Sequence, residues 1–413
     1  MRLRRRAAPT PRSNALVLPD VVITAYARTP VGSYLGSLSG LPAPSLGAAA
    51  ISAALTRSRL SPEQVDEVIM GNVLSAGVGQ APARQAALGA QLPNTVETLT
   101  VNKVCGSGLK AIMLASQAIQ TGDAGIIIAG GMESMSNVPY YLNGVRQGLR
   151  MGNRDMVDGM IHDGLWNVYN QLHMGGCAEI CVRERRFSRE QQDELTVRSY
   201  KLALAAQDGG LFEGEIVPVE VPQPKGSAVV VSKDEEPGRV NFDKIPHLKP
   251  VFEDSGTITA ANASNLNDGA AAVAVMSRPR ADELGIKALS RIVGQASAAH
   301  APEWFTTAPS KAVTKVLEKT GLTLTDIDLF EINEAFAVVA LAAIDELDLD
   351  PAKVNVHGGA VALGHPIGAS GARILVTLLG AMEQRNAGLG LAAICIGGGE
   401  AAAVIIERQT ATS

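Results

Sequence analysis

The feature that most constrains the fold is a repeat within the chain. Leu60-Ser61-Pro62-Glu63-Gln64-Val65-Asp66 matches Leu322-Thr323-Leu324-Thr325-Asp326-Ile327-Asp328. Ser107-Gly108-Leu109-Lys110 matches Ser370-Gly371-Ala372-Arg373, and Ile128-Ala129-Gly130-Gly131-Met132-Glu133 matches Cys395-Ile396-Gly397-Gly398-Gly399-Glu400. The three pairs come in one order, each roughly 265 residues apart, which argues for a duplicated β/α unit. Two such units side by side bring equivalent helix starts near one another. One of those starts follows Cys105. The other follows Gly364-His365-Pro366-Ile367-Gly368. A cysteine and a histidine can therefore meet across a pseudo-twofold axis.

The local patterns fit an α/β class. Val21-Val22-Ile23-Thr24-Ala25 and Gly125-Ile126-Ile127-Ile128-Ala129 are continuous apolar runs, as expected of strands covered on both faces. Val68-Ile69-Met70-Gly71-Asn72-Val73 reads as a further strand. Helices are predicted over 45–58 with Ser45 as N-cap, over 80–88, from Cys105 to about Gln120, and over 189–207. From 136 to 257 the pattern loosens into an inserted, loop-rich segment. Order returns at Ile258–Ser264, followed by an Ala-rich helix or strand from Asp268.

Composition excludes several classes. A net charge of −5 gives no reason to expect nucleic-acid binding, and no run is long and apolar enough to span a membrane. Four cysteines in 413 residues are too few for a disulfide framework and point to a reducing compartment. Residues 1–17 are Arg-rich and acid-poor, a tail or an organelle transit segment. His173, Cys177 and Cys181 stand four residues apart, but no fourth ligand accompanies them and Gly175-Gly176 weakens a helix there. Two buried structural thiols are the preferred reading. The Gly cluster at 129–133 lacks phosphate-loop spacing and reads as packing beneath Cys105.

The chemistry-bearing residues form a set. A thiol at a helix start is favoured as thiolate by the unpaired N–H groups there, and the small residues after it allow close approach of another molecule. Cys105 with His365 is a nucleophile–base pair, and Cys395 is a second thiol suited to proton transfer. Gly397-Gly398-Gly399 offers unobstructed N–H groups for an oxyanion, and Asn333 sits in a second polar cluster. Two thiols and two oxyanion sites suggest two successive reactions at carbonyl or thioester carbon.

Residues 102–113, 130–135, 333–336, 358–371 and 395–399 resemble the motifs of the thiolase family, from about Val21 to Ile406. The resemblance is strongest to the potassium-responsive, mitochondrial-type branch that condenses acetyl-CoA (acetyl-CoA C-acetyltransferases). It runs through Met70-Gly71-Asn72-Val73-Leu74, Asp163-Gly164-Leu165, Val168-Tyr169-Asn170 and Thr259–Ser264. It implies a five-layer αβαβα fold of duplicated β/α units. The implied divisions are 1–17, an N-terminal half at 18–135 and 258–287, an inserted domain at 136–257 and a C-terminal half at 288–413.

The resemblance also implies roles. Cys105 is acylated. His365 activates it and, with a water held by Asn333, lines one oxyanion hole. Cys395 moves the α-proton, and the N–H groups of Cys105 and Gly397 form the other oxyanion hole. Arg239, Val240, Asn241 and Lys244 match nucleotide-contacting positions of CoA, Ser264 a pantetheine contact, and His173-Met174 the acyl pocket. Tyr200, Ala260, Ala261, Ala263 and Val361 match a K⁺ site. The expected partners are acetyl-CoA, acetoacetyl-CoA and CoA, with no covalent cofactor. A homotetramer is expected through residues 139–153. The expected compartment is the cytoplasm, or the mitochondrial matrix if 1–17 is a transit segment. The alternative is a degradative 3-ketoacyl-CoA thiolase of broader chain length. Glu400-Ala401 departs from the family pattern, and Phe305-Thr306 stands where members accepting 2-methyl-branched substrates have Phe-Pro.

Overall fold

The computed structural model describes residues 18–409. The expectation of a tail or transit segment at 1–17 lies outside them. In chain order the first unit contains β1 (Val21–Arg28), α1 (Ala43–Ser58), β2 (Glu67–Gly71), α2 (Pro82–Gly89), β3 (Glu97–Val101), α3 (Ser107–Thr121) and β4 (Ile126–Ser134). The long excursion that follows carries α4 (Met174–Arg185) and α5 (Arg189–Asp208), and β5 (Asn267–Ser277) returns to the sheet. The second unit contains β6 (Ser290–Ala299), α6 (Ala308–Thr320), β7 (Leu329–Ile332), α7 (Ala337–Leu347), α8 (Ile367–Gln384), β8 (Leu389–Ile396) and β9 (Glu400–Arg408).

The strand order is β7-β8-β9-β6-β1-β5-β4-β2-β3, with the short strand Gly32–Ser33 beside β5. Each half has the same plan. In the first, β3, β2 and β4 run parallel and β5 and β1 antiparallel. In the second, β7 and β8 are parallel, and β9 and β6 alternate in direction. The halves join where β1 meets β6 through Val22–Arg291 and Ile23–Ser290.

The repeat extends to individual hydrogen bonds. Ser61 with Gln64 and Thr323 with Asp326 close equivalent capping boxes. Asp66 accepts from the N–H groups of Gly125 and Ile126, and Asp328 from those of Gly388 and Leu389.

Strand alternation divides the interior into layers. Ile127, Ala129, Val273, Ile394 and Val404 face a central core filled by Leu109 and Ile112 of α3 and by Leu375 and Leu378 of α8. Their neighbours Ile126, Ile128 and Ala272 turn the other way, onto Leu46 and Ile51 of α1. Ala403 and Ile405 turn onto Val313 and Val316 of α6. The result is five layers: outer helices, half-sheet, α3 with α8, half-sheet, outer helices. Because each strand feeds two cores, its sequence is apolar throughout instead of alternating.

Three local expectations change. Helix α1 begins at Ala43 after Pro42, so Ser45 lies inside the first turn and does not cap it. Of the helix or strand expected from Asp268 the structure has the strand, β5, whereas Ile258–Ser264 holds a single turn and an isolated bridge from Ala263 to Phe336. Gly175-Gly176 does not prevent a helix. Both lie in the first turn of α4, where the His173 ring nitrogen accepts the Gly175 N–H at 3.1 Å. A Cβ on Gly175 would stand 2.3 Å from the Phe252 ring, so glycine is there for packing. The excursion is tied to β1 by a buried cluster: Arg28 donates to Glu215 at 2.6 Å and to both oxygens of Asp234 at 2.7 and 2.8 Å.

The central layer leaves no room at the helix starts. A Cβ on Gly131 would lie 2.1 Å from the Gly368 carbonyl oxygen and 3.0 Å from the Gly108 Cα. Gly131→Ala is expected to lower the unfolding free energy by about 3 kcal/mol, since this backbone cannot yield as a flexible side chain would. Chemical denaturation measures it, and a loss below about 1 kcal/mol would show that the helix starts can part.

Candidate active site

Cys105 is held by a tight turn between β3 and α3. Val104 takes φ +46°, a left-handed conformation uncommon for a β-branched residue. Asn102 Oδ1 accepts the Val104 N–H at 3.0 Å. Ser107 Oγ accepts the Lys103 N–H at 2.8 Å and donates to the Val104 carbonyl at 2.6 Å. This lifts Cys105 one residue ahead of Gly106, the N-cap of α3. The small residues after it serve the protein's own packing, contrary to expectation. A Cβ on Gly108 would be 2.8 Å from the Ala372 nitrogen, and one on Gly371 2.5 Å from the Leu109 nitrogen.

His365 stands in the equivalent place, one residue before Pro366, the N-cap of α8. Its N–H donates to Asn267 Oδ1 at 2.8 Å, and its Nδ1 lies 2.6 Å from Ser370 Oγ. Nε2 has no hydrogen-bond partner within the protein. Asn333 follows β7, its side-chain amide 3.4 Å from the same Nδ1. Cys395, on β8, is 1% exposed. Gly397 opens the turn between β8 and β9, in which Gly398 and Gly399 have φ of +89° and +81°.

Burial dominates the electrostatics. It pushes the Cys105 thiol up to about 11, opposed by the N–H groups of Gly397 and of Cys105 itself, with Glu133 adding to the rise. Burial, and then Cys105, raise Cys395 well above the ordinary thiol range. Burial, helped by the positive charge of Arg373, lowers His365 to about 3. The helix start therefore does not hold a resting thiolate, as the sequence reading expected. The resting thiol and imidazole are both neutral, and a base must take the thiol proton as the sulfur attacks.

Cys105, His365 and Gly397 open onto one cavity of about 370 Å³. Its walls are largely apolar and include Met160, Leu165, Phe252, Phe305 and Phe336. His173, Met174 and Ser264 line it as well. A second cavity, of about 510 Å³, gathers Arg239, Val240, Asn241 and Lys244 with Tyr200, Ala260 and Ala261. Ala260, Asn265 and Leu266 belong to both walls, so the two spaces adjoin. Of the remaining candidate K⁺ positions, Ala263 faces the smaller cavity and Val361 is buried beside Tyr200.

Cys177 and Cys181 are both buried and free, as the preferred reading has them. His173 stacks on Phe252 at 4.8 Å between ring centres, while Cys177 accepts from the amides of Asn167 and Asn170 at 3.5 and 3.6 Å. Glu400 pairs with Lys103, joining the turn that carries Cys105 to the strand after Gly399.

Three supporting residues escaped the sequence reading. Glu133 accepts from Asn72 Nδ2 and from the N–H groups of Val73 and Gly368, and burial raises it to about 7. Asn267 holds the His365 backbone, and Ser370 holds its ring. Ser370 and Glu133 left traces in the sequence, as the repeat partners of Ser107 and Glu400; Asn267 left none.

Residues 21–279 match the thiolase N-terminal domain, and residues 286–408 the thiolase C-terminal domain. Acetyl-CoA acetyltransferase 2 of Arabidopsis thaliana is 53% identical over 390 residues, spanning 94% of this chain and 97% of that protein. Acetyl-CoA acetyltransferase of Cupriavidus necator is 54% identical, spanning 95% of this chain and all of that one. The crystal structure of Acat5 thiolase from Ascaris suum in complex with coenzyme A superposes with TM-score 0.90 at 45% identity, covering 94% of this chain and 100% of that one.

Because the Cys105 thiol is raised to about 11, its thiolate fraction should grow across the whole range from pH 7 to 9. Iodoacetamide labelling of Cys105 is expected to accelerate about tenfold per pH unit there. A plateau near neutrality, read by mass spectrometry of the labelled peptide, would show a pre-formed thiolate instead.

Proposed function

The chain belongs to the thiolase family and is an acyltransferase, and from that premise we propose how it carries out acetyl-CoA C-acetyl transfer, two acetyl-CoA to acetoacetyl-CoA plus CoA and the reverse. The carrying observation is that Cys105, His365 and Gly397 open onto one apolar cavity, with Cys105 near enough to Cys395 to disfavour ionisation of that second thiol.

His365 Nε2 takes the thiol proton as Cys105 Sγ forms its bond to the acetyl carbonyl. The oxyanion is met by the N–H groups of Cys105 and Gly397, the same two that oppose the rise of the thiol. The CoA sulfur leaves with the proton from His365, and Cys105 carries the acetyl group. A second acetyl-CoA enters with its thioester oxygen toward His365 and a water held by Asn333. Cys395 first gives its own proton to His365; as thiolate it takes the α-proton while the new carbon–carbon bond forms and the bond to the Cys105 sulfur breaks. The His365 imidazolium, having faced the thioester oxygen, then returns its proton to the released Cys105 sulfur, so both thiols and the neutral ring are restored.

The adjoining cavity holds CoA in this reading, with Arg239 and Lys244 facing its phosphates, Val240 and Asn241 its nucleoside, and Ser264 its pantetheine arm. His173 and Met174 bound the acyl pocket. A K⁺ ion would bind among Tyr200, Ala260, Ala261, Ala263 and Val361, supplying positive charge beside the CoA cavity. Residues 136–257 act as the CoA-binding insertion between the two halves. A homotetramer through 139–153 is supported by exposed apolar side chains there: Leu142, Val145, Leu149 and the fully exposed Met151. Among the described residues no helix is long and apolar enough to cross a membrane. A relative from Gibberella zeae, 51% identical, is named as cytosolic, which supports a cytoplasmic location.

Two experiments test this. Cys105→Ala is expected to abolish both thiolysis of acetoacetyl-CoA and covalent labelling by radioactive acetyl-CoA. Cys395→Ala should still label at Cys105 while condensation falls by roughly 10³-fold or more. A Cys105→Ala protein with full activity would exclude the acyl-cysteine route. Separately, thiolysis should be fastest for the four-carbon 3-ketoacyl-CoA, faster in K⁺ than in Na⁺, and slow with 2-methylacetoacetyl-CoA. Equal rates on long chains would favour a degradative enzyme of broad chain length.

A further inference from the structure

We propose that Ser370 is the positioning residue that keeps a proton on His365 Nδ1, so that Nε2 reaches the cavity as a free base. This rests on His365 acting as the base toward Cys105. Three hydrogen-bonding observations carry it.

First, Ser370 is fully buried, and its hydroxyl has one proton. The hydroxyl lies 2.9 Å from the Pro366 carbonyl, an acceptor that can use no other end of the bond. With its proton placed there, the oxygen faces His365 Nδ1 at 2.6 Å as an acceptor. Nδ1 must then carry the hydrogen.

Second, His365 Nε2 has no partner in the protein, and His365 lines the cavity shared with Cys105. If the hydroxyl turned to donate to Nδ1, the neutral ring would carry its hydrogen on Nε2 and could not accept the thiol proton. Once Nε2 takes that proton, both ring nitrogens carry hydrogens, and only an accepting Ser370 oxygen fits Nδ1. One hydroxyl orientation therefore serves the ring before and after proton transfer, and no group has to rotate during the step.

Third, Asn333 Oδ1 is buried without a partner, while the amide stands 3.4 Å from Nδ1. An amide has the same shape when turned end for end. With Nδ1 protonated and its hydrogen held by Ser370, an amide N–H facing Nδ1 would set donor against donor, and the turned amide instead sets Oδ1 beside that hydrogen.

The surroundings keep this geometry. The Ser370 N–H also bonds the Pro366 carbonyl, at 2.9 Å. The next residue, Gly371, lies against α3 with space for no Cβ. A serine one turn into α8 is thereby locked beneath the ring that precedes the helix.

Solid-state ¹⁵N spectra of histidine-labelled wild-type protein, with the His365 signals identified by their loss in His365→Asn, read the tautomer without any activity measurement. The expected form has hydrogen on Nδ1 and none on Nε2; hydrogen on Nε2 would overturn the proposal. In Ser370→Ala the rate of Cys105 acetylation by acetyl-CoA should fall roughly 10- to 100-fold, the kinetic equivalent of one hydrogen bond to a charged group. The KM for acetoacetyl-CoA should stay within about twofold, because no substrate contact is removed. An unchanged acetylation rate in folded Ser370→Ala would also overturn the proposal. Absence of acetylation in the wild type would overturn the acyl-cysteine route itself, leaving the tautomer measurement standing.

Discussion

The backbone contact between the first turns of α3 and α8 is the constraint on which the site depends. Gly108 rests on Ala372, Gly371 on Leu109, and Gly131 of β4 on the Gly368 carbonyl. Contacts this close require glycine, because any Cβ would overlap main-chain atoms that cannot swing aside. One residue ahead of each helix cap stands a member of the proposed nucleophile–base pair, Cys105 on one side and His365 on the other. The duplicated unit thus produces two different side chains at equivalent places, and the glycine contact sets their separation.

The same close packing decides the chemistry. Burial raises both thiols and lowers the histidine, so a resting ion pair is disfavoured. Charge is expected only as the reaction proceeds. The groups that would meet it are fixed N–H groups of Cys105 and Gly397 and the supported ring of His365. Such pre-set dipoles need no reorganisation when charge develops. The carboxyl group of Glu133, held by four donors, braces the residues after β2 against the start of α8.

Much of the fold was legible because its signals are local or repeated. The apolar strands and the helix over 189–207 follow from short-range pattern, and the repeat tied the halves together. Errors arose where one local signal outweighed another, or where a distant contact overrode local chemistry. Ser45 looks like a cap, yet Pro42 and Pro44 start the helix two residues earlier. Gly175-Gly176 looks like a break, yet the Phe252 ring occupies the space a side chain would need. The glycines after Cys105 suggested an approaching ligand, whereas the approaching backbone is α8.

By itself the sequence determined the duplication, the α/β class and the identity of the thiol, histidine and glycine turn brought together at the cavity. Those depend on residue type and order, which a chain carries openly. Only the tertiary structure decided that burial outweighs the helix-start effect on Cys105. It also decided which walls enclose the cavity and which atoms orient His365. Asn267 lies 98 residues from His365, and Glu133 lies 235 residues from Gly368. Contacts over such separations exist only once the two halves have closed on one another, because hydrogen bonding and desolvation depend on distances in space, not along the chain.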